Sequence, residues 1–188
     1  MALASTWIHG NALTMESPAY FAPDGQQTGR LVITPRGWGA GVTLEGHPTV
    51  SWMHLPVPSV YESLGRFQRF RLRRVILLGS CVNSTVDSIH VYDGRTRIHA
   101  VDRALEGNFL TTAPRNTFEL ARPHEVKYGI GVSFRYSTPI GTGPQQPPPP
   151  LMTIVAVGAE FETANILVGT AVSTAVTVVR RFIGGARR

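Results

Sequence analysis

Histidine and acidic side chains that could do chemistry gather around one stretch of the sequence. They are His54, Asp87, His90, His99 and Asp102. Imidazole and carboxylate groups bind metal ions and act as general acids and bases. Their spacing matches no established metal or catalytic motif, and the sequence contains no nucleophile elbow or phosphate-binding loop. We therefore expect hydrogen-bonded or surface histidines, no metal and no cofactor, and a protein that is not an enzyme.

A β-hairpin is predicted to position several of these residues. Asp93 and Gly94 indicate a type I′ turn, in which both residues take a positive φ. Alternation along the strands then places Ile89, Val91 and Ile98 on the core face. The other face, turned to solvent or to a partner, carries His90, Tyr92, Arg95, Arg97 and His99.

Composition predicts the fold around this hairpin. The 188 residues fit one domain with a sizeable core, and the 19 Gly and 14 Pro interrupt helices and favour short strands joined by turns. We expect an all-β fold, an antiparallel and jelly-roll-like β-sandwich of about nine strands. The predicted strands are Thr6 to Leu13, Gly29 to Thr34, Thr49 to Leu55, Phe67 to Leu78, Asp87 to Tyr92, Thr96 to Val101, Thr117 to Leu120, Gly129 to Tyr136 and Leu151 to Phe161.

The sandwich domain is predicted to span residues 1–162 and to be followed by a different segment, residues 163–188. That tail places small and apolar residues at helical spacing and ends in arginines. Its β-branched residues also permit a strand. The residues expected to mediate assembly or membrane contact are Val168, Val172, Ala175, Val176, Val179, Arg180 and Arg181. Before the last strand, residues 141–150 predict a stiff polyproline connection or, alternatively, a ligand for a proline-recognition domain.

The chain is basic, with 18 Lys and Arg against 12 Asp and Glu, and Lys127 is its only lysine. Arg69, Arg71 and Arg73 share one side of a predicted strand and form a stripe that could bind an anion, as could Arg95 and Arg97. Nucleic acid is the less favoured anion, because few aromatic residues interleave with the arginines. The alternative is a solvent-facing strand whose charges oppose aggregation.

Aromatic residues suggest a second binding surface. Stacking on a sugar ring is a possible role for Trp7, Trp38, Trp52, Tyr61 and Tyr92, although tryptophans in sandwiches usually belong to the core. The single cysteine, Cys81, excludes an intrachain disulfide and has apolar neighbours typical of a buried, inert thiol. The N-terminus lacks the pattern of a secretory signal, so we expect an intracellular protein.

Four segments resemble an uncharacterised bacterial family of small all-β proteins. They are residues 52–58, 75–78, 89–94 and 129–134, and the resemblance covers roughly residues 7–161. It implies a sandwich and no activity, and it leaves the tail as an addition to the family pattern.

Two functional hypotheses follow. The first is a non-catalytic structural or interaction protein whose tail mediates assembly into a homo-oligomer or attachment to an anionic membrane surface. The second is a glycan- or anion-binding module that uses the Trp and Tyr residues and the arginine stripe.

Overall fold

The computed structural model describes residues 3–16, 19–21, 27–46, 50–59, 68–138 and 151–165. Within these ranges the protein is all-β, and every strand pairing is antiparallel. The strands are β1 (Leu3–His9), β2 (Thr14–Met15), β3 (Ala19–Phe21), β4 (Gln27–Arg36), β5 (Gly39–Gly46), β6 (Val50–Val57), β7 (Gln68–Asp93), β8 (Thr96–Phe109), β9 (Thr117–Glu125), β10 (Ile130–Ser137) and β11 (Leu151–Asn165). Two short 3₁₀ segments follow β1 and β8, at Gly10–Ala12 and Pro114–Asn116.

Two long strands, β7 and β11, connect the whole sheet. They pair antiparallel from Leu151 opposite Val82 to Asn165 opposite Gln68. β11 also pairs with β5 near its start and with β1 along its second half. β7 pairs with β9 near its start and with β8 and β10 toward its end. The sheet order is therefore β2, β6, β10, β7, β11, β5, β4, β3, with β1, β8 and β9 attached to the long strands.

One apolar core lies on the inner face of the sheet. On β6, Met53, Leu55 and Val57 are buried while the residues between them are more exposed, as the two-residue period of a strand requires. One cluster joins them to buried residues of β4, β5 and β7 through β11. β1 and β6 contact each other although no described strand pairing joins them. The sheet therefore curls around its core.

The all-β prediction is confirmed, and each predicted strand overlaps a strand of the structure. Phe67 to Leu78 and Asp87 to Tyr92 are both parts of β7. Gly79 and Asn83 suggest a break between them, but pairing continues through bulges, and Asn83 takes a φ of 49° there. The first predicted strand ends early, at His9, where the 3₁₀ segment begins.

Strand β5 was not predicted, because its glycines resemble a loop. A Cβ at Gly39 would lie 2.4 Å from the carbonyl oxygen of Ile154, so this glycine allows β5 to approach β11 closely.

The last strand extends beyond its predicted end at Phe161, because β11 continues to Asn165, while the division into a domain of residues 1–162 and a tail stays a prediction. The predicted polyproline connection and the assembly residues of the tail lie outside the described residues. No helix in the described part of the chain is long and apolar enough to cross a membrane.

The predicted hairpin exists, but its turn lies one residue further along the chain, and the pairing of its two strands changes accordingly. The loop residues are Gly94 and Arg95, and Asp93 pairs with Thr96. Only Gly94 of the predicted pair has a positive φ, 57°, as the first loop position of a type II′ turn requires. A bulge follows at Ile98, and it shifts the alternation so that His99 lies opposite Val91 on the core side.

Replacing Gly94 by Val should destabilise the protein by about 1 to 3 kcal/mol, because a β-branched residue resists positive φ. A Cβ at this position would also lie 2.8 Å from the Cβ of Tyr128. Urea unfolding of the two proteins measures the loss. Gly37→Val is the control, since a Cβ there meets nothing within 4 Å. An unfolding free energy equal to that of the native protein would contradict this account of the turn.

Candidate functional site

The outer faces of β6, β10, β7 and β8 carry three rows of side chains that run across the strands. Strand register defines each row, because residues directly opposite each other share a face. The rows are Trp52, Arg135, Ser88 and Asp102; then His54, Ser133, His90 and Ala100; then Pro56, Gly131, Tyr92 and Arg97. The hairpin thus brings most of the chemically versatile residues of the sequence onto one polar surface.

An open groove of about 480 Å³ crosses this surface over Gly131. Pro56 and Tyr92 are the neighbours of Gly131 in its row, so they form two walls where the glycine leaves the floor without a side chain. The other lining residues are His54, Leu55, Gly94, Arg95, Val132 and Ser133. Small-molecule sites occupy about 300 to 1,000 Å³, so the groove has the size of a ligand site.

His54 and Ser133 form one side of the groove. His54 Nδ1 lies 2.8 Å from Ser133 Oγ, and Ser133 is buried at 7% exposure. With the imidazole proton on Nε2, Ser133 donates to Nδ1 and the ring presents an N–H donor. The pair can therefore both donate to and accept from a polar ligand.

His90 occupies the centre of the outer face. Its ring stacks on Trp52 with centroids 4.5 Å apart, and its Nδ1 lies 3.4 Å from the hydroxyl oxygen of Tyr92. Burial lowers the pKa of His90, and the positive charges of Arg97 and Arg135 add to this effect against the opposing charge of Asp102. The imidazole is therefore neutral at neutral pH, since its ordinary pKa is already about 6.5.

Ser88, His90 and Asp102 meet, but not in the order of a nucleophilic relay. In such a relay the acid orients the histidine and the histidine takes the serine proton. Here the Ser88 hydroxyl donates to Asp102 Oδ1 at 2.7 Å, while Ser88 Oγ is 3.5 Å from His90 Nε2. The serine proton is therefore directed at the carboxylate, and the three groups form a side-chain hydrogen-bond network on the outer face.

The remaining acidic and histidine candidates lie apart from each other. Asp87 accepts hydrogen bonds from Arg135 Nε at 2.6 Å and from Ser137 Oγ at 2.9 Å. It therefore fixes these two side chains of β10. His99 lies on the other side of its strand, and burial lowers its pKa. Among the described residues, no three His, Cys, Asp or Glu side chains converge in a way that could hold a metal ion.

The arginine stripe includes one residue that lies opposite carboxylates. Arg71 is opposite Glu125 on β9 and Glu162 on β11, and Arg73 falls at a bulge between the neighbouring register positions. The backbone of Arg69 is in β7 opposite Ala164. Anion binding by this stripe stays a prediction, and Arg71 is the stripe arginine that the described register places opposite carboxylates.

Arg74 shows the same compensation directly. Its guanidinium lies 2.7 Å from Glu160 and 3.5 Å from Glu119 on the two flanking strands. Arg95 and Arg97 differ from these arginines, because Arg95 lines the groove and Arg97 lies opposite the neutral Tyr92. The structure thus separates the five candidate arginines into two groups.

The aromatic candidates do not form one platform. Trp52 belongs to the outer face, and Tyr92 lines the groove. Trp7, 42% exposed, lies over Gly158 on β11, where a Cβ would come within 2.7 Å of its ring. Trp38 is exposed in the turn between β4 and β5. Tyr61 lies outside the described residues.

Cys81 is buried, as predicted. Burial raises the pKa of its thiol to about 11, so at neutral pH it carries almost no thiolate, the form that reacts.

The buried carboxylate of Asp93 holds the groove rim in place. It accepts hydrogen bonds from His124 Nε2 at 3.0 Å and from the backbone N–H groups of Lys127, Tyr128 and Gly129 at 2.7 to 3.2 Å. The N–H of Gly94 in turn donates to the Gly129 carbonyl at 2.9 Å. These bonds tie the hairpin tip, and with it Arg95, to the connection between β9 and β10. We call this set of bonds the Asp93 clasp.

The sequence indicates some of these residues and not others. His54, Tyr92 and Arg95 stand out by type, whereas Gly131, Ser133 and Pro56 do not. The one available signal is the alternation in Gly129 to Tyr136, which places Gly131 and Ser133 on the face opposite the buried Val132 and Phe134. Only strand pairing shows that this face adjoins His54 and Tyr92.

Comparisons with known proteins identify no relative of this chain. No protein-family model matches the chain, and no curated protein matches it. Of the predicted resemblance, the all-β fold is confirmed, and membership of a bacterial family stays a prediction.

Asp93→Asn should cost about 2 kcal/mol of unfolding free energy at neutral pH, because charge-assisted hydrogen bonds to a buried carboxylate are lost. Burial raises the pKa of Asp93, but the hydrogen bonds from His124 and the three N–H groups outweigh it and lower the pKa overall. This stabilisation is therefore complete above the unfolded pKa of about 3.9 and is lost as the pH falls through the lower folded pKa.

Urea unfolding at stepwise lower pH checks this. The difference between native protein and variant should shrink in acid, and a difference that is constant with pH would contradict the role of the charge. Asp102→Asn, which removes an exposed carboxylate of the same hairpin, should cost less at neutral pH.

Proposed function

We propose that the chain is a non-catalytic binding module that takes a glycan or an anion in the groove over Gly131. The observation that carries this proposal is the groove itself: apolar walls at Pro56 and Tyr92, hydrogen-bonding groups at His54 and Ser133, and a cation at Arg95. Ligand sites combine apolar walls with a few well-placed polar groups in this way. Its rim is also braced by the Asp93 clasp, which favours a preformed site.

Self-assembly or attachment to an anionic membrane surface through the C-terminal tail is the second candidate function. Two features support it. Within the described residues, the last core residue in the sequence is Phe161, which lies before the tail. Asn165, at the end of β11, pairs with Gln68 of β7, so the tail follows a paired strand directly in the sequence.

We also propose that the curled sheet forms a jelly-roll-like sandwich. A jelly-roll-like sandwich would have the two halves of the curled sheet face each other across the core, and the contact between β1 and β6 supports that arrangement. An intracellular location and a homo-oligomeric state accompany the assembly function.

Gly131→Val should abolish ligand binding with little loss of stability. A Cβ at Gly131 meets only Tyr92 Cβ at 3.9 Å, an ordinary contact, so the valine fits on the strand while its methyl groups fill the groove floor. The probes are a neutral β-glucan oligosaccharide, an oligogalacturonate and inorganic phosphate. We expect at least one probe to shift the NMR signals of Gly131 and Tyr92 in the native chain.

Gly37→Val is the matched control, since Gly37 is exposed and is not among the residues that line the groove. It should bind the probe as the native chain does. Binding retained by Gly131→Val, or no binding of any probe by the native chain, would overturn the proposal.

Truncation after Asn165 should leave the sheet folded and abolish assembly or vesicle binding. Native mass measurement and sedimentation with phosphatidylserine vesicles test the two outcomes. In the full chain, Val172→Asp should disrupt a subunit interface without lipid, because it buries an unpaired carboxylate. Replacing Arg180 and Arg181 by Gln should instead weaken vesicle binding by about 1 kcal/mol per arginine. A truncated chain with unchanged mass and unchanged lipid behaviour would contradict this second function.

A further inference from the structure

The two walls of the groove suit the face of a sugar ring. Tyr92 and Pro56 lie on either side of Gly131 in one row, and both line the groove, so an aromatic and a pyrrolidine side chain border a floor that lacks a side chain at Gly131. The C–H groups of a pyranose pack on such surfaces, while its hydroxyls need partners that both donate and accept. His54 and Ser133, 2.8 Å apart at the groove side, provide both.

The charges of the residues at the groove indicate the charge of the ligand. The described lining residues of the groove include one arginine, Arg95, and one histidine, His54. They include no aspartate or glutamate. Arg97, opposite Tyr92, adds a second positive charge beside the wall. An anionic ligand is therefore favoured over a cationic one.

The kind of anion follows from the number and position of these groups. Arg95 is the one arginine among the described lining residues, and a single guanidinium pairs with one carboxylate through two parallel N–H···O bonds. Phosphate sites generally converge several cations or backbone N–H groups on the anion, whereas the described backbone N–H groups near the rim, those of residues 127–129, already donate to Asp93. The groove thus fits a carboxylate better than a phosphate.

We propose that the ligand of this groove is an acidic saccharide. Its ring packs against Tyr92, its carboxylate pairs with Arg95, and its hydroxyls bond to His54 and Ser133. This inference rests on the proposed binding function and specifies the chemistry of its ligand.

Calorimetric titration of the full chain with methyl glucuronide, methyl glucoside and sodium acetate tests the inference. We expect the glucuronide to bind at least about tenfold more tightly than either other probe, because the ring and the carboxylate are both recognised. Arg95→Gln should reduce glucuronide affinity about tenfold and leave glucoside affinity unchanged. Arg122→Gln, at an exposed arginine of β9, should change neither affinity.

Four results would overturn the inference. Glucoside bound as tightly as glucuronide would indicate a neutral-sugar site, and acetate bound as tightly would indicate a plain anion site; in both cases the proposed binding function stands. Glucuronide affinity that is unaffected by Arg95→Gln would place the carboxylate elsewhere. If none of these three probes binds, and the β-glucan oligosaccharide, the oligogalacturonate and inorganic phosphate do not bind either, the binding function is refuted as well.

Discussion

The Asp93 clasp is the constraint on which the shape of the molecule depends. A straight strand rises about 3.3 Å per residue, so Leu72 and Asp93 would lie roughly 70 Å apart on a straight β7. Yet the backbone of His124 pairs with Leu72, and its side chain reaches Asp93. Both ends of β7 therefore approach the same residue, which requires the strand to coil. Register shifts along its pairings with β8, β9 and β11 supply the bends. A buried carboxylate is tolerable only when it is fully hydrogen-bonded, and the four donors of the clasp meet that condition.

Coiling of β7 also explains why the groove lies on the outer face. The inner face is filled by one apolar core, and strand alternation turns the residues between the core residues outward. On β10, Val132 and Phe134 point inward, and Gly131 and Ser133 consequently line the groove. The missing side chain at Gly131 leaves depth on an otherwise flat sheet surface. The clasp then fixes the hairpin tip at the end of this groove. The same backbone thus provides the core, the groove and the position of Arg95.

Sequence reasoning reached the strands and the polarity of the faces, because alternation reports burial locally. It missed features that depend on partners distant in the chain. The turn shifted by one residue because Asp93 is recruited by residues 124–129 rather than by its own hairpin. Likewise, Asn116 reads as an ordinary turn residue. It is fully buried, and its amide donates to the carbonyls of Leu77 and Phe109 at 2.8 and 3.1 Å, which joins β8, β9 and β7. Neither partnership has a local pattern in the sequence.

Charge distribution shows the same difference between sequence and space. The densest run of arginines, on β7, suggests the most positive surface, but Arg71 lies between Glu125 and Glu162, and Arg74 between Glu119 and Glu160. Opposite charges on adjacent strands stabilise the sheet and cancel each other's field at a distance. Arg95 and Arg97 are only two residues apart in a less basic segment, yet no carboxylate lines the groove beside them among the described residues. Strand pairing therefore places carboxylates beside Arg71 and Arg74, whereas the described lining of the groove contains Arg95 and no carboxylate.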